Sequence, residues 1–213
     1  MSLTSERLDP RIKRTRHAIQ EAFQVLLSEH GLIPLTVQDI TAQAGVNRAT
    51  FYAHYRDKHD LFARLIQDHL DATLAQRLTR PLRFGADELR GLLLAVCTFM
   101  TQVHESCHVH DDEMEVQIER QVQGRLEELL LEGLEGCVQV PNSRIISRQA
   151  TAMLTASSLY AAAAAWGRSE TDRPLEAYVA EMMVFVLGGV SGCGFNPLQL
   201  PSVQVSPKTA KRV

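Results

Sequence analysis

Aromatic residues are scarce in this 213-residue chain, at 6% with a single tryptophan. Long alternations of valine, isoleucine and threonine are missing as well. Both shortages argue against a sheet-built fold, because strands draw on aromatic and β-branched residues. Cysteine is thin: Cys97, Cys107, Cys137 and Cys193 are scattered without a CxxC pair. No disulfide framework follows from them, and a chain of this size folds without staples, so reduced thiols are the simplest reading. The opening residues, 1–16, are charged where a secretion signal would be apolar, which implies a cytoplasmic location. Nucleophile elbow, Walker-type phosphate loop, dinucleotide glycine motif and HExxH are all absent, and with them the local signatures of several large enzyme classes.

What the chain does contain is leucine and alanine within a 45% hydrophobic composition, enough apolar mass for a real core, and the expected fold class is all-α. A formal net charge of −3 hides an asymmetry. Between residues 7 and 16 stand Arg7, Arg11, Lys13, Arg14 and Arg16 against Asp9 alone, whereas residues 105–135 carry ten acids against Arg120 and Arg125. The N-terminal end is therefore the part that invites a polyanion. Acids such as Glu127, Glu128 and Glu132 read as the solvated face of a helix.

Asp9-Pro10 resembles a cap followed by proline in the first helical turn, and Ile19, Ala22, Phe23, Leu26 and Leu27 recur at helical spacing up to Gly31. Thr36 is a natural N-cap for a short helix carrying Val37, Ile40 and Ala44 and ending at Gly45. Asn47 caps another, expected to reach Tyr55, and Asp57 opens a fourth through Leu61, Phe62, Leu65, Ile66 and Leu70. Four longer helices are predicted over 87–105, 112–134, 143–166 and 174–187, with an irregular or disordered tail from 191 to 213. The expected division is a small helical head over 1–60, a connecting helix over 58–78, and a larger helical body over 79–190. Residues 149–167 are uncharged and nearly long enough to span a bilayer, but Gln149, Thr151, Thr155, Ser157 and Ser158 make a packed helix the better reading, so no membrane partner is expected.

Residues 36–58 hold two short helices interrupted at Gly45, the arrangement a helix-turn-helix requires, because glycine tolerates the left-handed backbone of the turn and Val46 can plug the angle. Turning about 100° per residue along the second helix puts Phe51 and Tyr55 on one side and Ala49 and Ala53 on the other. Small residues there let the helix approach base edges while Arg48, Thr50, Tyr52 and His54 reach outward. Thr36-Val-x-x-Ile, Ala44-Gly45-Val46, Thr50-Phe51-Tyr52-x-His54-Tyr55 and the stretch from Lys58 to Leu61 resemble the DNA-binding signature of the TetR family, of the AcrR-like kind. The likeness covers about residues 11–66. It departs from the commonest pattern at Ala53, where a bulkier residue is usual, and at Tyr55, where phenylalanine is frequent.

The resemblance implies that Thr36 and Lys58 hold phosphates, with Tyr52 and His54 in part, and that Arg48 and Thr50 reach bases or neighbouring phosphates. It implies a double-stranded DNA operator as partner, and a homodimer with its last two long helices in a four-helix bundle. It also implies a small-molecule effector whose binding releases the DNA, and no cofactor. For the dimer face the sequence offers Ala150, Leu154, Ala156, Leu159, Ala161, Met183 and Leu187, a stripe equally compatible with an intrachain core. The effector site is unknown; Phe99, Met100, Met153, Tyr160 and Trp166 are compatible with a pocket and with plain core. His104, Cys107, His108, His110, Asp111 and Asp112 are rich in metal donors but match no structural zinc spacing, and no metal is assigned. A helical enzyme, or an interaction module that keeps the fold without binding DNA, stays open as an alternative.

Overall fold

The computed structural model describes residues 10–78, 84–106, 111–135, 146–169 and 172–192, and every regular element among them is helical. The order is α1 (Pro10–His30), α2 (Val37–Ala44), α3 (Arg48–Tyr52), α4 (Lys58–Ala75), α5 (Ala86–Ser106), α6 (Asp112–Glu135), α7 (Arg148–Gly167) and α8 (Leu175–Gly192). The first three helices and the start of α4 form a head, and α5 to α8 form a body. Asp9, Cys107, Cys137, Cys193 and most of the tail lie outside the described residues.

Apolar periodicity decides which face of each helix turns inward. Ile19, Ala22, Phe23 and Leu27 line the buried side of α1, and Phe23 meets Phe62 of α4 edge to face at 6.2 Å. Helix α5 is enclosed on nearly every side, with Leu92 to Cys97 consecutively buried, so it forms the axis on which α4, α7 and α8 pack. Burial pushes the Cys97 thiol up to about 12, leaving it protonated. Helix α7 crosses α5 closely: a Cβ on Gly167 would stand 3.0 Å from the Cβ of Met100. Of the uncharged segment read as a packed helix, Thr151, Ala152, Thr155, Ala156, Leu159, Ala163 and Ala164 are buried.

Four boundaries differ from expectation by three residues or more, among them the end of α4 at Ala75 rather than residue 78. Helix α3 stops at Tyr52 rather than Tyr55, because Ala53 and His54 turn out of the helix and drop the Tyr55 ring into the core. Ser147, whose side chain accepts the Ala150 N–H at 3.1 Å, starts α7 later than residue 143. Helix α8 continues through Gly188 and Gly189 to Gly192 instead of ending at Leu187. Each glycine disfavours helix by about 1 kcal/mol, and the buried side chains of Val186 and Val190, one turn apart, offset this at roughly 1.5–3 kcal/mol each. This helix is the one among the described residues long and apolar enough to cross a membrane by length and composition, with a mean hydropathy of 1.4.

Candidate nucleic-acid interface

Local hydrogen bonds set the two short helices of the head. Thr36 and Asp39 form a reciprocal capping box: the Asp39 N–H donates to Thr36 Oγ1 at 3.2 Å, and the Thr36 N–H donates to Asp39 Oδ2 at 3.0 Å. The Thr36 hydroxyl also donates to that carboxylate at 2.5 Å. These bonds, the hydroxyl's first and the backbone's next, hold the Asp39 carboxyl below its usual range. Gly45 ends α2 at φ +65°, which a side chain would strain, and the Val46 N–H returns to Thr41 O at 3.1 Å. Asn47 then caps α3, its Oδ1 accepting from the Thr50 N–H at 2.7 Å and from the Thr50 hydroxyl at 2.9 Å.

Under α3 lie Phe51, fully buried, and Tyr55, 2% exposed, with ring centroids 5.7 Å apart. The opposite face is open. Arg48, Ala49 and Ala53 are exposed, and Tyr52 is 51% exposed with its ring braced edge-on against Phe51 at 5.5 Å. Thr50 and His54 are half-buried, and the His54 ring lies 6.3 Å from that of Tyr55. The structure thus brings Arg48, Ala49, Tyr52 and Ala53 to one solvent-facing surface of a short capped helix. Such a surface admits close approach at the alanines while a guanidinium and a phenol reach past them. Lys13 and Arg14, in the first turns of α1, are exposed on the same head.

Three of the sequence-derived residues have internal partners. The hydroxyls of Thr36 and Thr50 bond their own caps, and the Lys58 ammonium donates to the carbonyls of Leu32 and Ile33, both at 2.9 Å. The amides of the same two residues donate to Asp111 Oδ2, at 2.6 and 2.9 Å. Asp111 Oδ1 in turn accepts the Met114 N–H at 2.8 Å, so Asp111 also caps α6. The α1–α2 connection is therefore gripped on its carbonyl side by α4 and on its amide side by the start of α6. No sequence signal marks Asp111 for this, since its partners lie 78 and 79 positions away.

Further along, α4 and α6 run in parallel register at a constant offset of 54 positions. His59 Nδ1 lies 3.6 Å from Glu113 Oε1, the Gln67 amide donates to Gln121 Oε1 at 2.9 Å, and the Arg125 guanidinium donates to Asp71 Oδ1 at 2.8 Å. The helix leaving the head is thus fastened along its length to the body.

In the donor-rich stretch His104 is exposed and the Asp111 carboxylate is occupied by backbone amides, while Cys107, His108 and His110 lie outside the described residues. Among the described residues no three His, Cys, Asp or Glu side chains are placed to hold a metal ion. Of the pocket residues suggested by sequence, Met100 and Tyr160 line a small recess with Arg168. Phe99 is fully buried beside the His69 ring at 5.2 Å, Met153 is exposed, and Trp166 stacks on Tyr178 at 5.1 Å. Of the proposed dimer stripe, Ala156, Leu159 and Met183 face the chain's own core. Leu154 faces out at 51%, joined by Met153 at 48%, Val184 at 75% and Phe185 at 74%.

Residues 21–65 match the family model of bacterial regulatory proteins, tetR family. Over 107 residues the chain is 35% identical to an uncharacterized HTH-type transcriptional regulator, YxbF, of Bacillus subtilis (strain 168). That match takes in 46% of this chain and 28% of the relative, so the chain spans less than a third of that relative's length. Among solved structures, a TetR transcriptional regulator from Streptococcus agalactiae 2603V is 22% identical with a TM-score of 0.55, covering 83% of this chain and 95% of that one. The transcriptional regulator FadR from Bacillus subtilis in complex with stearoyl-CoA is 15% identical with a TM-score of 0.52, covering 81% and 98%. At these identities the two structures speak for the fold.

Proposed function

We propose that this chain, whose residues 21–65 match the model of bacterial regulatory proteins, tetR family, is a cytoplasmic, ligand-responsive repressor that grips a palindromic operator as a homodimer and releases it when a small molecule binds the helical body. The observation that carries the reading is the outward row of Arg48, Ala49, Tyr52 and Ala53 over the buried Phe51 and Tyr55. Arginine can take guanine O6 and N7 bidentately, and the phenol of Tyr52 can donate to a phosphate. One such short helix covers few base pairs, so a second copy reading a half-site a helical turn or a multiple of one away supplies the rest. The exposed apolar side chains of α7 and α8, Met153, Leu154, Val184 and Phe185, offer the surface for that second copy, since exposed large apolar groups gain from burial in an interface. An effector is in keeping with the fold: FadR of similar architecture was solved with stearoyl-CoA.

Selection of bound sequences from random duplexes, with the full-length chain, tests this directly. A palindromic consensus is expected, and replacing Arg48 or Tyr52 with alanine is expected to weaken binding to it by about 1–3 kcal/mol while helicity is retained. Equal gel-shift affinity of both variants would sink the docking; no enrichment over many rounds would sink the regulator reading. An enzyme or a module without DNA binding has no evident use for an exposed arginine and tyrosine on a capped helix of five residues.

A further inference from the structure

Two hollows flank α6, and their walls differ in charge. The one facing α7 is edged by Asp112, Glu115, Glu119 and Arg168. The other, about 420 Å³, lies between α1, α4, α5 and α6, and none of its lining side chains is an aspartate, glutamate, lysine or arginine. Leu27, Phe62, Ile66, Val103, Met114 and Ile118 make its apolar wall. Its polar groups are neutral hydrogen-bonding ones, Ser28 and His69 among them. Ser28 donates its hydroxyl to Val25 O at 2.8 Å and keeps lone pairs to accept another donor. His69 Nε2 lies 2.9 Å from Gln102 Oε1, where it can donate, and the other ring nitrogen is a second hydrogen-bonding group.

Resting on the regulator reading above, we propose that this cavity between head and body is the effector site, that its ligand is an uncharged, largely apolar molecule bearing a hydroxyl, and that occupancy loosens the grip on the α1–α2 connection. A charged ligand would meet a largely apolar wall with no counter-charge among the lining side chains, which disfavours it, whereas a neutral hydroxyl finds hydrogen-bonding partners. The volume is nearly three times the ~150 Å³ of a cavity that holds benzene, enough for a fused ring pair. The walls come from both sides of the junction. Leu27 and Ser28 sit in the last turns of α1 just before the gripped Leu32 and Ile33, and Met114 is the residue whose amide Asp111 caps. A molecule that spreads α1 from α6 acts directly on the bonds of 2.6 and 2.9 Å between them.

The test uses 1-naphthol and 1-naphthoate, one ring system with a neutral and an anionic head, titrated by fluorescence into the full chain without DNA. Saturable binding of 1-naphthol is expected, with 1-naphthoate about tenfold or more weaker. Ser28→Phe and Val25→Trp each place bulk in the hollow, and Val25 is 45% exposed, so α1 tolerates the change. Both are expected to stay helical and to bind 1-naphthol about tenfold or more weakly, and saturating 1-naphthol is expected to raise the operator Kd of the parent chain, not of the filled variants, by a similar factor. Equal binding of the anion, undiminished binding by folded filled variants, or binding with no effect on operator affinity would each overturn the proposal. Failure of the ligand-free chain to bind any duplex would overturn the regulator reading instead, and the titration without DNA still decides whether the cavity takes the neutral ring.

Discussion

Lys58 commits two of its ammonium protons to the carbonyls of Leu32 and Ile33, while Asp111 takes the amides of the same residues. The family likeness assigns Lys58 to phosphate. In the structure its first task is internal, and the two tasks separate experimentally. Replacing Lys58 with methionine, or Asp111 with alanine, is expected to lower stability by about 1–3 kcal/mol, since each leaves polar backbone groups without a charged partner. Amide exchange at Leu32 and Ile33 is expected to quicken most in the Asp111 variant. A Lys58 that served phosphate alone would leave thermal melting untouched and only flatten the salt dependence of operator binding by a slope of about one. At this scale the sequence was a fair guide where a residue acts through its immediate neighbours: Thr36 and Asn47 were legible as caps, and Phe51 and Tyr55 as the inner side of α3. Asp111 was not legible, because nothing within a few positions of it hints at the loop it holds.

Among the elements, the caps and the α4 terminus carry a dependence on pH. Asp39 is lowered by the Thr36 hydroxyl and backbone. For Asp60, burial pushes upward but is outweighed by the backbone N–H of Arg56 and the guanidiniums of Arg64 and Arg56, so this carboxyl too sits below the ordinary 3.8. With folded values depressed, the unfolded chain takes up protons first as pH falls, so the stability these groups supply is present above about pH 4 and lost below it. Urea melts of the chain are expected to weaken between pH 5 and pH 3, as acid protonates these groups. An Asp39→Asn, Asp60→Asn double variant is expected to show a smaller loss over that interval, and an identical loss would rule these two carboxylates out. Element boundaries show the limits of local signals. The turn at Gly45 was readable because αL geometry selects glycine, whereas the end expected at residue 187 lies five residues short of Gly192, because the burial of Val186 and Val190 overrides the low propensity of Gly188 and Gly189.

Over the whole molecule, α8 leaves Val184 and Phe185 about three-quarters exposed, and α7 leaves Met153 and Leu154 about half exposed. The two helices are already joined within the chain by the Trp166–Tyr178 stack and by the Tyr178 hydroxyl on Ala162 O at 2.8 Å, so this outer face is free for a second copy. In sedimentation the parent chain is expected to be a dimer. Phe185→Glu combined with Val184→Lys is expected to be a folded monomer with greatly weakened operator binding, because half-site contacts no longer reinforce one another. A parent chain that is monomeric yet binds a palindrome tightly would refute the arrangement.

By itself the sequence determined the helical class, the capped two-helix turn near Gly45 and the inward aromatic pair of α3, since each is written in residues three or four apart that the helix brings together. The tertiary structure alone decided which side of α7 and α8 meets the core, how α6 reaches back to the head, and where a cavity remains between them. Those outcomes depend on pairs such as Leu32 and Asp111, 79 positions apart, whose meeting is set by the packing of whole helices and leaves no local periodicity to read.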